Sequence, residues 1–366
     1  MRSSVLALAG FLFVPAGFGA VLPQIDFPAD SPVAVLSSDP AGSDEISRGG
    51  AVVVDLHDAL TLRNSGQRRI RGITLMVTAQ EISPGGKASV TVPSLNVAPG
   101  EAFPVRVDLR LLRPVQAADG AVRITVDGIL FDDLSFYGPD RLSSRRALTV
   151  YELEARRDRR FFRNLLEEGG PQRLQQEMLA DISRYAERPA VSAQMVRGPA
   201  TNYQPERQLE FTFVEFPDAP VEAGDAQVRI AGNEARGPRL TIRNRSDREV
   251  RSVEIGWIVK DQQGREFLAK SLPTDLNLAP GQSRDVRQDA TLRFPERAGE
   301  KISIAAMSGF VSNVEFSDGH MWIPARSALG DARLEKVLAP SAEEDRLLQI
   351  YRRKGLKALM EELRRF

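Results

Sequence analysis

The sequence contains no cysteine among its 366 residues. A disulfide framework is therefore excluded, and so is lipid attachment to a cysteine thiol. The exported chain that we infer below must be held together by its hydrophobic core alone. Two units of about 150 residues each are large enough to bury such a core.

Histidine is almost as scarce, since the chain has only His57 and His320. A histidine-rich metal site is excluded, and a Ser-His-Asp triad would have to use one of these two residues. The sequence also lacks the nucleophile elbow of hydrolases and the phosphate-binding loop of nucleotide-binding proteins. The carboxylate pairs Asp132-Asp133 and Glu343-Glu344 are interpreted as a turn and as helix N-terminal charge. We therefore expect no catalytic residue, no cofactor and no metal.

Net charge is also lacking, because 49 basic residues balance 49 acidic ones. Nothing in the overall charge directs the chain to nucleic acid or to an anionic membrane. Arginine outnumbers lysine by 42 to 7, a bias typical of GC-rich bacterial genomes. This composition favours a bacterial protein without a nucleic-acid partner.

The longest apolar run is short and lies at the N-terminus. Arg2 precedes ten apolar residues from Val5 to Val14, and Pro15 and small residues follow up to Ala20. This order is typical of a secretory signal peptide, here residues 1–20, and ten residues are too few to span a bilayer. We expect a periplasmic or extracellular protein with no membrane span after cleavage. The alternative is an uncleaved N-terminal anchor in the inner membrane.

The most informative positive feature is an internal repeat. The sequence LTLRN at residues 60–64 returns as LTIRN at residues 240–244, and LNVAPG at residues 95–100 returns as LNLAPG at residues 276–281. Near the end of each unit, LSF at residues 134–136 is aligned with VEF at residues 314–316. The order and spacing indicate a tandem duplication, which is typical of modular binding or scaffold proteins.

Each repeat begins with a β-rich body. Apolar residues alternate in segments such as Val253 to Val259, and turn residues separate these segments. Short strands with such frequent turns predict an antiparallel β-sandwich, with Trp257 in its core. The fold class predicted is mainly β with helical appendages, as two tandem immunoglobulin-like sandwiches.

A helical segment follows each body. The first is predicted to break at Gly169-Gly170, with Pro171 opening a second helix, and the last helices begin at a capping box on Ser341 and break at Gly355. The predicted organisation places a signal peptide at 1–20, sandwich units at 21–140 and 207–325, a helical hairpin at 141–188, a linker at 189–206 and C-terminal helices at 326–366.

The second repeat resembles a known kind of domain. LTIRNRS at residues 240–246, DQQG at residues 261–264 and LAPG at residues 278–281 are similar to the FxLYD-type sandwich domains of bacterial envelope proteins. The position of the Leu-Tyr-Asp motif is occupied here by IVKD at residues 258–261. The resemblance implies an immunoglobulin-like fold in the cell envelope and transfers no functional residue.

Two groups of residues are candidates for binding a partner. The first is His320 and Trp322, which follow the last long strand, where a sandwich displays its loops; edge packing is the alternative. The second is the basic stretch of Arg156, Arg157, Arg159 and Arg160. Its acidic neighbours favour a solvated helix face over a binding surface.

The function predicted from these patterns is that of an exported, non-enzymatic binding or scaffold protein of the bacterial cell envelope. Its partner would be an envelope protein or a surface polysaccharide. Two alternatives remain open from the residues alone. One is a carbohydrate-active hydrolase or its accessory module, and the other is a pilus or secretion chaperone that pairs a sheet edge with its client.

Overall fold

The computed structural model describes residues 22–81, 85–114, 122–186, 194–196, 205–270, 273–288, 291–294 and 303–366. The expected signal peptide and most of the expected linker lie outside these residues. The chain is mainly β with helical parts, as predicted. It divides into two compact units, residues 1–145 and 146–366. The immunoglobulin-like detail of the fold stays a prediction.

Unit 1 consists of nine described strands in two sheets. They are β1 (Gln24–Ile25), β2 (Val33–Ser37), β3 (Asp44–Arg48), β4 (Ala51–Asn64), β5 (Ile70–Thr78), β6 (Lys87–Val92), β7 (Ala102–Pro114), β8 (Arg123–Phe131) and β9 (Phe136–Tyr137).

The long strand β4 organises one sheet of unit 1. It pairs along its whole length with β7, so β2 and β3 both lie along its opposite edge. The other sheet has the order β1-β8-β5-β6, and β9 also pairs with β8. Every second residue of β4 from Val52 to Asn64 is buried, as expected for a strand with one face on the core. Apolar side chains from both sheets form a single buried cluster.

Unit 2 has eleven described strands. They are β10 (Gln194–Val196), β11 (Arg207–Val214), β12 (Val221–Ala231), β13 (Glu234–Asn244), β14 (Val250–Asp261), β15 (Glu266–Lys270), β16 (Thr274–Leu278), β17 (Ser283–Arg287), β18 (Thr291–Arg293), β19 (Ile304–Phe316) and β20 (Met321–Trp322).

Strand β11 belongs to both parts of the unit 2 sheet. Its first half, up to Phe211, runs antiparallel to β12, and its second half, from Thr212, runs parallel to β19. The buried cluster of this unit surrounds Trp257, whose side chain is fully buried on β14. The predicted core role of Trp257 is therefore confirmed.

The two units use the same strand pairing in the same register. β13 takes the place of β4, β14 that of β5, β19 that of β8 and β20 that of β9. Cross-strand neighbours match where the repeat motif lies. The equivalent pairs are Val33–Asn64 and Val221–Asn244, Arg63–Ala102 and Arg243–Ser283, and Ile70–Phe131 and Val250–Phe316.

The repeated asparagine holds the same buried corner in each unit. The side-chain amide of Asn64 donates to the carbonyls of Arg68 and Val97 at 2.8 and 3.1 Å. The amide of Asn244 donates to the corresponding carbonyls of Arg248 and Leu278 at 2.8 and 2.9 Å. Both asparagines are fully buried. A buried carbonyl needs a donor, so the asparagine is required by the turn that it bridges.

The helices are α1 (Ser144–Ala186), the short α2 (Ala332–Glu335) and α3 (Ala342–Leu363). Both long helices break at a glycine with a positive φ, 70° at Gly170 and 81° at Gly355, which confirms both predicted breaks. The N-cap half of the predicted capping box is confirmed, because the Ser341 hydroxyl accepts the amide of Glu344 at 3.1 Å, while the Glu344 carboxylate bonds to Arg326.

The long helices pack on each other through equivalent positions. Phe162 and Leu347 each lie eight residues before the glycine, while Leu174 and Leu359 lie four residues after it. All four side chains are fully buried in one cluster of unit 2. We expected one helical segment with each sandwich, and instead both segments belong to the second unit. In both helices the apolar residues have the same spacing around the glycine. Their apolar faces therefore match, and each helix buries surface that it would otherwise expose to water.

The expected linker, residues 189–206, contains one described element. Residues Gln194–Val196 form β10, which pairs antiparallel with β18. Part of the segment is therefore held by the unit 2 sheet. Apart from residues 205–206, the rest of the linker lies outside the described residues.

We predict that Asn244→Ala lowers the free energy of unfolding of unit 2 by about 3 kcal/mol, because one buried carbonyl and one part-buried carbonyl lose their donor. Both tryptophans, Trp257 and Trp322, lie in unit 2, so intrinsic fluorescence during urea unfolding reports this unit alone. The matched substitution Asn64→Ala should leave that fluorescence transition unchanged. An equal effect from Asn164→Ala, on the exposed face of α1, would contradict the prediction.

Candidate functional site

The candidate surface residue Trp322 lies on the short strand β20, opposite Val314 of β19. Its indole is only half-buried and lies 6.1 Å from the ring of Phe216, measured between ring centroids. Its Nε1 donates a hydrogen bond of 3.3 Å to Asp218. One edge of the indole therefore packs on the sheet, and the rest faces outward.

His320 stands in the turn that leads into β20. Its side chain is 72% exposed, and its Nδ1 lies 3.2 Å from Asp318. The guanidinium of Arg248 forms a salt bridge with Asp318 and covers the ring of Phe316 at 4.5 Å. The Arg248 hydrogen bond, with the backbone N–H of His320, lowers the pKa of Asp318 to about 2. We call this group, with Trp322 and Asp218, the Trp322 corner.

Unit 1 has an equivalent group, which we call the Tyr137 corner. The hydroxyl of Tyr137 donates to Asp30 at 3.0 Å. Arg68 forms a salt bridge of 3.4 Å with Asp133 and covers the ring of Phe131 at 4.3 Å. The hydrogen bond of the ring, the salt bridge and the arginine–ring contact of the Trp322 corner thus have counterparts here, with serine at position 135 in place of the histidine.

This comparison corrects the sequence alignment at the end of the repeat. We aligned Phe136 with Phe316, but Phe131 is the residue that pairs with Ile70 as Phe316 pairs with Val250. The three-residue similarity that suggested Phe136 is local. The consequence is that Tyr137 is the equivalent of Trp322, so the candidate site is a repeated corner with changed exposed residues.

The structure places the basic stretch differently from our interpretation of a solvated helix face. Arg159 is buried, and its guanidinium lies 3.0 Å from Glu152 and 3.6 Å from Glu343. It also covers the ring of Phe366 at 4.2 Å. Arg157 pairs with the fully buried Asp158 at 2.9 Å. Arg159 joins α1 to α3, and Arg157 also donates to the carbonyl of Pro324, so neither is available to a partner.

The other two arginines of the stretch are more accessible. Arg156 is partly exposed and pairs with Glu152 at 2.8 Å, one helical turn away, as predicted. Arg160 is exposed. Of the four arginines that we considered for partner binding, only Arg160 presents a largely free surface.

Sequence analysis missed the centre of this ion-pair network. Arg326, which precedes α2, makes a two-point contact with Glu344, with both nitrogen–oxygen distances at 2.9 Å, and lies 3.5 Å from Asp158. Tyr185 donates its hydroxyl to the same carboxylate. Burial would raise the pKa of Glu344, but the hydrogen bonds and charge of Arg326 outweigh it and hold that pKa below its usual value. Arg326 and Glu344 are 18 residues apart in sequence, while Asp158 and Tyr185 lie 168 and 159 residues from their partners, so no local pattern reveals the network.

Asp181 is the least well compensated carboxylate of this cluster. It is fully buried, and its Oδ1 lies 3.1 Å from Arg184. Burial, together with the negative charge of Glu344, raises the pKa of Asp181 to about 7. Asp181 is therefore the group that titrates near neutral pH within the helical cluster.

The remaining histidine, His57, does not form part of a catalytic triad. Its Nδ1 lies 2.9 Å from Asp108 and its Nε2 lies 3.6 Å from Asp55, so carboxylates face both ring nitrogens. The hydroxyl of Ser43 bonds to the backbone of His57 and not to the ring. Within the described parts of the chain, no cluster of side chains has the composition of a metal site.

Comparisons with known proteins give no assignment. No protein family matches the chain, and no curated protein matches it. Among solved structures, red sea bream transglutaminase is 9% identical with a TM-score of 0.14, covering 84% of this chain and 30% of that protein. A β-glucosidase from Kluyveromyces marxianus is 11% identical with a TM-score of 0.17, covering 72% and 45%. The chain spans less than half the length of either protein, and similarity at this level carries no argument about function.

We predict that the neighbouring residues Arg159 and Arg160 respond differently to alanine substitution. Arg159→Ala should lower the stability of unit 2 by about 3 kcal/mol, because it leaves buried carboxylates with fewer partners. Arg160→Ala should change it by less than about 0.5 kcal/mol. Urea unfolding followed by tryptophan fluorescence measures both. Equal effects would mean that the buried network contributes little.

The raised pKa of Asp181 predicts a pH dependence of stability. Its favourable contribution is complete below the ordinary carboxyl range and is lost as pH rises through about 7. Asp181→Asn, which resembles the protonated form, should therefore stabilise unit 2 more at pH 8 than at pH 5, by a difference on the order of 2 kcal/mol. The control is Asp247→Asn on the exposed surface. A stabilisation that is the same at both pH values would contradict this assignment.

Proposed function

We propose that this protein is an exported, non-enzymatic binding or scaffold protein of the bacterial cell envelope. The observation that carries the proposal is the repeated corner. Asp218, Arg248 and Asp318 repeat the supporting contacts of unit 1, while the exposed positions change from serine to His320 and from tyrosine to Trp322. When two modules keep the same supporting contacts but differ in the residues at their surface, that surface is typically adapted to a partner.

The carboxylates that were candidates for catalysis bond to other parts of the protein. This supports a binding function over that of a hydrolase. Asp133 is held by Arg68 and by the amide of Ser135, while Glu343 and Glu344 are buried in ion pairs with arginines. Each of these candidate acids has a structural task. A glycosidase needs two carboxylates that face a common cleft, whereas these carboxylates bond to turns and helices.

The envelope location rests on the sequence of the N-terminal segment and on the resemblance to FxLYD-type domains. Within the described residues, no helix combines the length and apolar character that a membrane crossing requires. A cell envelope offers two classes of partner, proteins and surface polysaccharides. A half-exposed indole beside an exposed imidazole suits either, since both rings combine an apolar face with a polar edge.

We predict that the Trp322 corner contacts the partner and the Tyr137 corner does not. A photoreactive amino acid at position 320 should give adducts in living cells, and the same amino acid at the equivalent position 135 should give none. The variant Trp322→Tyr keeps the corner intact, because unit 1 uses tyrosine there. It should reduce the adducts at least tenfold, the loss expected for a residue central to an interface.

Analysis of the adducts separates the two classes of partner. A discrete product identified by mass spectrometry indicates a protein, and a heterogeneous product removed by glycosidases indicates a polysaccharide. Recovery of the mature protein from the cytoplasm would refute the proposal. Equal adduct yields from positions 135 and 320 would refute the role of the Trp322 corner.

A further inference from the structure

Unit 1 has an open sheet edge at the short strand β3. This strand pairs with β4 through the hairpin turn Gly49-Gly50, and no other strand in the described part of the chain pairs with it. Both glycines have positive φ, 60° and 87°, as a two-residue hairpin turn requires. One row of backbone donors and acceptors on β3 therefore faces away from the sheet.

Unit 2 covers the corresponding edge with its own chain. There the strand before the hairpin is β12, and residues Arg207 to Phe211 of β11 pair along its outer side. Leu209 and Phe211 of that strand pack against the core of unit 2. The comparison identifies the β3 edge as a position where this fold accepts one more antiparallel strand.

The register shows which groups of β3 are available. In the hairpin, Arg48 and Ala51 flank the two-residue turn, and Ile46 pairs with Val53. Antiparallel strands bond through alternate residues, so the backbone groups of positions 44, 46 and 48 face β4. The N–H and C=O groups of Glu45 and Ser47 therefore face outward.

The sequence of β3 is complementary to itself. If two copies pair antiparallel about Ile46, Glu45 of one lies opposite Ser47 of the other, and these pairs exchange four backbone hydrogen bonds. Position 44 then lies opposite position 48 of the second copy. The sequence has aspartate at the first position and arginine at the second, so the register is complementary in charge.

The apolar surface beside the edge supports the same arrangement. Ile46, Val53 and Leu112 are in register across three strands on the outer face. Ile46 is 49% exposed and Leu112 is 42% exposed. A second copy would extend this row across the edge, with the two Ile46 side chains in the closer, non-hydrogen-bonded type of pair.

We propose that β3 of one molecule pairs antiparallel with β3 of a second molecule and joins two unit 1 sheets into one. The contact has two-fold symmetry, so it closes with two copies. On the opposite face of the strand Glu45 forms an ion pair with Arg113 of its own chain, so its charge is already compensated. A five-residue edge buries little area, so the dimer is weak and reversible.

The absence of cysteine allows a direct test with the full chain. The variant Ile46→Cys carries a single thiol, and two such residues in a non-hydrogen-bonded pair are close enough for a disulfide. Mild oxidation should convert it to a covalent dimer at least tenfold faster than it converts Leu36→Cys. Leu36 is a matched control, since it is 44% exposed on the neighbouring strand β2.

A charge exchange tests the register. Sedimentation of the wild-type chain should show a monomer–dimer equilibrium. Asp44→Arg and Arg48→Asp should each weaken the dimer about tenfold, because each places like charges opposite one another. The double variant should restore it, which a merely structural role of either residue would not produce.

Other outcomes would overturn the proposal. A monomer at all concentrations, with Ile46→Cys oxidising no faster than Leu36→Cys, excludes the pairing. A dimer that the double variant does not restore uses another surface. A monomer in which the thiol of Ile46→Cys resists maleimide indicates that the chain's own residues before Leu22 cover the edge. A disulfide formed only with a different protein assigns the edge to that partner.

Discussion

The buried amides of Asn64 and Asn244 are the interactions on which the architecture depends. Each closes the turn between two long strands, β4 and β5 in unit 1 and β13 and β14 in unit 2. Each amide donates to one buried carbonyl and to one part-buried carbonyl. Aspartate has no donor and serine has too short a reach, so the geometry selects asparagine. Because the corner sets which residues face each other, the same register appears in both units, and the rest of each unit follows from it.

The helical cluster follows a different rule, because its specificity comes from charge. Phe162 and Leu347 supply apolar burial, but such contacts tolerate more than one alignment of two helices. The two-point pairing of Arg326 with Glu344 and the placement of Arg159 between two glutamates admit one alignment, since any shift leaves buried charges without partners. Asp181 is buried in this arrangement without full compensation of its charge, and this unfavourable burial raises its pKa. Ion pairs here select the arrangement more than they stabilise it.

Local sequence patterns predicted the secondary-structure elements. The contacts between residues distant in sequence were not predictable in this way. The alternation around Trp257, the capping box at Ser341 and the helix breaks at Gly170 and Gly355 each depend on a few neighbouring residues, and all were predictable from the sequence. The burial of Arg159 was not predictable, because acidic residues near a basic stretch occur both on solvated helices and in buried networks. Here the network is closed by Glu343, which is distant in sequence. The equivalence of Tyr137 and Trp322 also depended on pairing register, which a three-residue match at Phe136 obscured.

The differences between the units carry more functional information than their similarities. Contacts that both units share, such as the Arg68–Asp133 and Arg248–Asp318 pairs, are explained by the need to fold. Two of the differences that remain are an exposed histidine beside a partly buried tryptophan on unit 2, and an edge beside Ile46 on unit 1 with which no described strand pairs except β4. Neither is required by the shared framework, and each belongs to only one unit. The proposed partner-binding corner of unit 2 and the proposed pairing edge of unit 1 therefore both lie where the two units differ.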